Sequence, residues 1–418
     1  MRGARTQQRT WWARPGLEVR DGHLTIAGRD AESLAREHGT PLYVHDLTRI
    51  QEQVHTLQAA FADAGLDGRV RLALKAQHEP EVLRFIRALG TPGEAVSVGM
   101  DVCSPAEVLC ALEHGWRPDE ISYTGTNLSE RDLDVILAHP DVHLNVDLIT
   151  QISRVGRRAP GRTIGLRVNP RAGAGFEGGE HTLYAGPRPT KFGIFPERLE
   201  EAVGVARRHD LMIDTVHFHV GDGYLDDGLP VFEQVVMRVA DMVRFLRDQG
   251  CPIAEVNTGG GIGVPQRAGD APLDLTRWAG ILAVHLGPLG VTVDTEPGDF
   301  LVKECAINLA EVVTVEERDG VRFVGLDVGW NAMGERFIYE APLDMVLCRA
   351  ADAPPVREVT ISGHINEGDD LFAEDLPFPE VVEGDIVAAI NVGSYNASMT
   401  SEHCLRPAAH AVFFSDRI

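Results

Sequence analysis

Lys75 lies in the apolar run 71–76, and a lysine at the end of a buried strand carries a charge that water no longer supports. Such an amine either takes an anion as partner or gives up its proton and becomes a nucleophile able to form a Schiff base. Of the 39 lysines and arginines only three are lysine, Lys75, Lys191 and Lys303, so chemistry that arginine cannot perform is expected at one of them. Further along, segment 258–263 reads Thr-Gly-Gly-Gly-Ile-Gly, a backbone that can approach a phosphate closely and turn its amides onto it. His217 and His219 alternate on one side of a strand, with no third ligand nearby in sequence, so no metal site is expected. Glu296, followed by Pro297 and Gly298, sets a carboxylate at the end of the next strand. A lysine, a phosphate cradle, a histidine and a carboxylate are what pyridoxal phosphate requires. Lys75 captures the aldehyde, Gly259, Gly260 and Gly261 hold the phosphate, the flat ring lies under His219, and Glu296 faces the pyridine nitrogen. A carboxylate there keeps the nitrogen protonated, so that the ring takes up electrons from a carbanion.

The elements that must position these groups repeat. Short apolar strands are predicted over 71–75, 95–98, 121–124, 144–147, 164–168, 215–220, 255–258 and 291–295, each followed by a helical pattern. Eight strand-then-helix units predict a (β/α)8 barrel within an α/β fold class. Polar or glycine residues recur at the C-terminal strand ends: Lys75, Ser104, Asn127, Asp147, Arg167 with Asn169, His219, the glycines 259–261 and Glu296. That rim is where barrel enzymes place their sites. Beyond residue 300 the helical pattern stops, and strands are predicted over 310–316, 322–329, 356–363, 385–393 and 410–414, separated by turn residues. The resulting domains are 1–40, an arm and hairpin that join the β domain; 41–300, the barrel; and 301–418, a C-terminal all-β domain.

Composition bounds the rest. A chain of 418 residues is long enough for two domains, and 44% hydrophobic with 24% charged residues is ordinary for a globular protein. No apolar run approaches the ~18 residues of a membrane span, and the basic opening residues are not followed by an apolar stretch of the secretory kind. A cytoplasmic protein with a short basic arm is expected. The net charge of −23 argues against nucleic acid and anionic membrane as partners. Six cysteines without a CxxC pair or metal-like spacing are expected to be reduced and mostly buried.

From about Pro41 to Phe414 the chain resembles the fold-type III pyridoxal-phosphate decarboxylases, the group of diaminopimelate, ornithine and arginine decarboxylases that shares its barrel with alanine racemase. The motifs that carry the resemblance lie at 74–76, 101–107, 167–170, 190–193, 217–221, 259–261, 296–298, 327–329 with Arg336 and Tyr339, and 393–395. The resemblance implies catalytic roles for Lys75, His219, Glu296 and Glu367. It implies cofactor contacts at Arg167, His219, Gly221, Gly259, Gly260, Gly261, Glu296, Gly298 and Tyr395, and substrate contacts at Asp299, Arg336, Tyr339, Asn366 and Glu367. It also implies a homodimer whose active sites form between one barrel and the partner's β domain.

Departures from the family pattern bear on the substrate. Asn366 stands where relatives carry cysteine, ahead of the acid Glu367 that in the family contacts the distal amine. Asp299 replaces the arginine after Glu-Pro-Gly, Asp222 replaces a serine after His-Val-Gly, and Arg336 sits one position off the family spacing before Tyr339. The expected activity is decarboxylation, through a Schiff base at Lys75 and a quinonoid carbanion, of an amino acid with a cationic or polar distal group. Lysine, ornithine or arginine is expected in preference to diaminopimelate, because Asp299, Glu367 and Asp370 would repel a second carboxylate. Two alternatives stay open. One is an amino-acid racemase or epimerase, in which the missing cysteine reflects different proton traffic; the other is a pyridoxal-phosphate-binding protein without turnover. Reprotonation would fall to Lys75, water or another donor, with Cys404 the cysteine to test near the C-terminal motifs.

Overall fold

The computed structural model describes residues 10–90, 97–175, 185 and 189–415. Most of the expected basic arm, and residues 95 and 96 of the second predicted strand, lie outside them. The described chain divides into two compact units, one of the residues up to Glu52 with Val264–Ala271 and those from Leu301 onward, the other of Gln53–Gly263 and Pro272–Phe300.

The first unit opens with an antiparallel sheet, β1 (Leu17–Arg20), β2 (His23–Ile26) and β3 (Arg29–Asp30). The β1–β2 hairpin turns at Asp21 and Gly22, both at positive φ, which a left-handed turn requires. Strand β4 (Leu42–Asp46) does not join the barrel, although the sequence assigns it there; it pairs with two strands of the C-terminal region. Its five residues are all buried, and a strand buried on both faces gives no sign of which sheet it enters.

The second unit holds the barrel. Its strands are β5 (Gly68–Ala73), β6 (Val98–Val102), β7 (Ile121–Thr124), β8 (His143–Val146), β9 (Thr163–Arg167), β10 (Met212–His217), β11 (Glu255–Asn257) and β12 (Thr292–Thr295), all parallel and closed by β12 pairing with β5. The second strand begins at Val98, where the sequence reading ends it. Seven strands are followed by helices, among them Leu229–Asp248, which buries Phe232, Val235, Val236, Val239 and Val243 along one stripe. The eighth departs from expectation, since only the four-residue helix Asp299–Val302 follows β12. The helix Leu47–Asp63, ahead of β5, supplies a helix there instead: Phe61 meets Trp278 of helix Leu275–His285 with ring centroids 5.4 Å apart.

The strands alternate in a way that decides the site. Val70, Leu72, Met100, Ile121, Leu144, Leu166, Val216, Val256 and Val293 are buried apolar residues, whereas their neighbours Arg71, Ser122, Asn145, Arg167, His217, Asn257 and Asp294 are equally buried and polar. The polar set faces the barrel interior, because Ser122 on β7 reaches Glu296 beyond β12, a bond between non-adjacent strands that must cross the interior. Glycine makes room for it: a Cβ at Gly165 would lie 2.0 Å from Asn145 Oδ1. A barrel is commonly filled with branched apolar side chains; this one is filled with hydrogen bonds.

The remaining strands, β13 (Ala306–Arg318), β14 (Val321–Leu326), β15 (Met345–Leu347), β16 (Arg357–Ser362), β17 (Leu371–Phe378), β18 (Ile386–Ala389) and β19 (His410–Phe414), form with β4 an eight-stranded sheet in the first unit. The thirteen residues of β13 pair with β4 and β18 at one end and with β14 at the other, so one strand runs through both halves of the sheet. No helix among the described residues is long and apolar enough to cross a membrane. Cys251, Cys305 and Cys348 are buried, Cys110 is half-buried, and Cys103 and Cys404 are exposed; all six are free, so fewer are buried than expected.

Candidate active site

Glu296 is the hub of the barrel rim. Its Oε1 accepts from Ser122 Oγ at 2.9 Å and from Asn257 Nδ2 at 2.5 Å, and its Oε2 lies 3.0 Å from His217 Nε2. Asn145 Nδ2 supports Ser122 Oγ at 3.1 Å and Thr124 Oγ1 at 3.0 Å. Burial pushes the carboxyl pKa up, but His217, Asn257 and the more distant Arg71 outweigh it, and Glu296 stays ionised below the usual range. Burial likewise lowers the pKa of His217 against the pull of Glu296, leaving a neutral imidazole whose Nε2–H donates to the carboxylate. One layer deeper, Arg71 is bound to Asp294 Oδ2 through Nε at 2.9 Å and Nη2 at 2.6 Å.

Lys75 sits in the short 3-10 turn Leu74–Ala76 that follows β5, half-buried rather than in the strand itself. Asp101, on the neighbouring strand β6, pairs in register with Ala73 and has its pKa raised by burial and by the charge of Glu296, with Lys75 opposing both. Its Oδ1 is buried without a hydrogen-bond partner among the described residues. Arg167, at the end of β9, lies over the Phe192 ring at 4.4 Å, and Lys191 is exposed at 4.9 Å from the same ring. Asn169 fastens that segment, donating to Thr190 Oγ1 at 3.2 Å and Phe192 O at 3.0 Å.

The glycines form a cradle in which side chains do not fit. A Cβ at Gly260 would lie 2.5 Å from Glu296 O, and one at Gly261, whose φ is +95°, would lie 1.9 Å from Gly221 O. Gly260 N–H donates to His219 Nδ1 at 3.1 Å, and Glu296 N–H donates to Gly259 O at 2.8 Å, so the cradle, His219 and Glu296 are tied together. Gly298 is buried, and Asp299, half-buried, opens the helix that follows it. The structure thus gathers Lys75, Arg167, His219, Gly221, Gly259–Gly261, Glu296 and Gly298 at the C-terminal ends of the barrel strands.

The other predicted residues lie in the first unit, in two groups. Tyr339 and Tyr395 meet edge to face, with ring centroids 5.8 Å apart. Beside them Lys303 and Glu335 form a buried ion pair, and Asn396 Nδ2 donates to Glu335 Oε2 at 3.1 Å. Asn366 and Glu367 are exposed in a turn after β16, where Glu367 Oε1 pairs with His403 Nε2 at 2.9 Å, and His403 stacks on Trp330 at 5.1 Å. Asp370, expected among the acids that repel a distal carboxylate, is instead buried, and its carboxylate is occupied by Trp330 N–H at 2.9 Å and Ile365 N–H at 2.7 Å. Arg336 lines a cavity of about 620 Å3 with Trp11, Leu343 and Phe372, a wall that includes neither Tyr339 nor Tyr395.

Residues 47–303 match the family model of the pyridoxal-dependent decarboxylases, over their pyridoxal-binding domain. The chain belongs to the pyridoxal-dependent decarboxylase family. Relatives of this decarboxylase include the diaminopimelate decarboxylase of Methanothermobacter thermautotrophicus, 33% identical over 94% of this chain and 91% of that one. The diaminopimelate decarboxylase of Escherichia coli K12 is 29% identical over 92% of each. Among solved structures, the Helicobacter pylori diaminopimelate decarboxylase complexed with L-lysine superposes with a TM-score of 0.83 at 25% identity, covering 93% of this chain and 95% of that one.

The decarboxylase is therefore a carboxy-lyase that uses pyridoxal phosphate and acts on an amino acid. The residues present fit the cofactor. The orphaned Asp101 oxygen beside Lys75 marks a place for a further polar group, the cradle excludes every Cβ, and the Glu296 carboxylate is ionised as a pyridinium partner must be. Sequence reasoning reaches Glu296 but misses Ser122, Asn145, Asn257 and the role of His217 beneath it. The signal was available in the polar members of an inward-facing period of two.

Proposed function

We propose that the decarboxylase acts on an α-amino acid with a distal ammonium group, and that Lys75 takes the cofactor's aldehyde. The observation that carries this reading is the position of Lys75, at the end of β5 beside Asp101 and on the same rim as the ionised Glu296. Its closeness to a carboxyl held toward its protonated form gives the amine a proton partner. Bound pyridoxal phosphate supplies the electron sink for the carbanion left when the carboxylate departs. Glu296, fixed by Ser122, Asn257 and His217, would hold a proton on the pyridine nitrogen. His219 would orient the ring, with Arg167 nearby, and Gly259–Gly261 would take the phosphate.

Substrate choice would come from the exposed acid. Glu367 lies exposed in a turn with Asn366, and its side chain meets His403 Nε2 at 2.9 Å. In a homodimer that turn would supply Asn366 and Glu367 to the partner's barrel; their exposure in the single chain supports the arrangement. Asp299, half-buried at the rim, adds a second negative charge that disfavours a distal carboxylate. A second reading, diaminopimelate as substrate, is favoured by the named activity of relatives up to 33% identical. Carbon dioxide release from lysine, ornithine, arginine and diaminopimelate distinguishes the two. Higher kcat/KM for lysine supports the charge reading, and a clear preference for diaminopimelate overturns it. Loss of optical rotation without carbon dioxide release would overturn decarboxylation itself.

A further inference from the structure

The lip of the glycine cradle carries a negative charge of its own. Asp222 lies between Gly221 and Gly223 in a turn locked to the cradle: Tyr224 N–H donates to Gly261 O at 3.0 Å, and Gly263 N–H donates to Tyr224 O at 3.0 Å. The two segments touch backbone to backbone, since a Cβ on Gly263 would lie 2.5 Å from Gly223 O. Asp222 Oδ1 stands 3.5 Å from His219 Nε2, and the other ring nitrogen, Nδ1, accepts Gly260 N–H. A nitrogen that accepts from an amide presents a lone pair, so the neutral ring carries its proton on Nε2, facing Asp222. A second proton would have to displace Gly260. Burial also lowers the pKa of His219, against the opposing pull of Asp222. His219 therefore leaves the charge of Asp222 uncancelled. The other charged groups that act on His219 are Arg167, at the end of β9, and Lys75, in the turn after β5, and the same two cations act on Asp101, which Glu296 opposes.

We propose that Asp222 sets how tightly the cradle holds an anion: it fixes His219 as the Nε2–H tautomer and leaves a carboxylate at the lip, so that the phosphate dianion of pyridoxal phosphate is held loosely and exchanges with the medium. This rests on the reading that Gly259–Gly261 take the phosphate. A phosphate ester gains its second charge with a pKa near 6, so the repulsion grows as pH rises through about 6.

Equilibrium titration of the cofactor-free full-length chain with pyridoxal phosphate, followed by visible absorbance, tests it for the wild type, Asp222→Asn and Asp222→Ser at pH about 5.5 and about 8. Both variants should bind about tenfold tighter than wild type at the higher pH, a Coulomb effect discounted for the partial exposure of Asp222, with a smaller gain at the lower pH. The ratio of affinities cancels whatever the proteins share, including the protonation of Lys75. Equal affinities at both pH values, or weaker binding by the variants, would overturn the proposal, and the serine variant keeps the test open if the asparagine variant fails to fold. Failure of the site reading looks different: borohydride would then fix no cofactor to Lys75 in any of the three proteins.

Discussion

Glu296 and Glu367 are both acids of the proposed chemistry, and their surroundings are opposite. Glu296 is buried at a strand end and bound by side chains from β7, β10 and β11. Glu367 is exposed in a turn, paired with His403 and otherwise open to water. The first charge is desolvated and fixed before any ligand arrives, which is how an electrostatic partner acts without reorganising. The second is worth little where it stands, because an exposed pair contributes ~0 to 1 kcal/mol. It becomes strong only when another surface removes the water. The network around Glu296 thus lies within one unit, while the turn at 363–370, held by buried Asp370, carries Glu367 exposed.

The contrast breaks first at Glu296. Glu296→Gln keeps the shape but removes the charge, so it should retain cofactor while kcat falls on the order of 100-fold or more, checked by absorbance and turnover in the same sample. Turnover within a few-fold of wild type would show that the buried network is structural only. A smaller effect is expected from sharing. Lys75→Ala and Glu367→Gln, each defective alone, should recover activity toward about one quarter of wild type when mixed and allowed to exchange subunits, because random pairing leaves one intact site in half of the dimers. No recovery in a mixture shown to contain mixed dimers would place Glu367 outside a shared site.

The smallest effect is on stability, and it asks whether a buried group in the β sheet behaves as the buried barrel groups do. His45 on β4 is stacked on Phe413 at 4.7 Å, and burial lowers its pKa to about 4. The unfolded state binds this proton near pH 6.5 and the folded state only near 4, so stability falls as pH drops between those values, by about 3 kcal/mol at most. His45→Phe should flatten the decline of the melting temperature between pH 7 and 5. An unchanged slope would assign the acid sensitivity to other groups.

Much of this was legible in the sequence, for identifiable reasons. The strands of the barrel announce themselves because their outward faces are apolar, and Lys75, His219 and Glu296 stand out because polar residues collect at one end of them. The interior network was harder to see, because Ser122, Asn145 and Asn257 are ordinary residues whose meaning depends on closure of β12 onto β5. Strand β4 was misplaced because a fully buried strand does not reveal its sheet. Asp370 was read as a possible substrate acid because a carboxylate that accepts backbone amides looks, in sequence, like any other.

The central claim is that Lys75 is the residue that takes the cofactor. Borohydride reduction of the protein with pyridoxal phosphate, followed by peptide mass spectrometry, tests it most directly, since the chain offers only Lys75, Lys191 and Lys303. The reduced cofactor should be found on the peptide containing Lys75 and vanish from Lys75→Ala. Cofactor fixed instead to exposed Lys191, or to Lys303 within its buried pair with Glu335, would contradict the account.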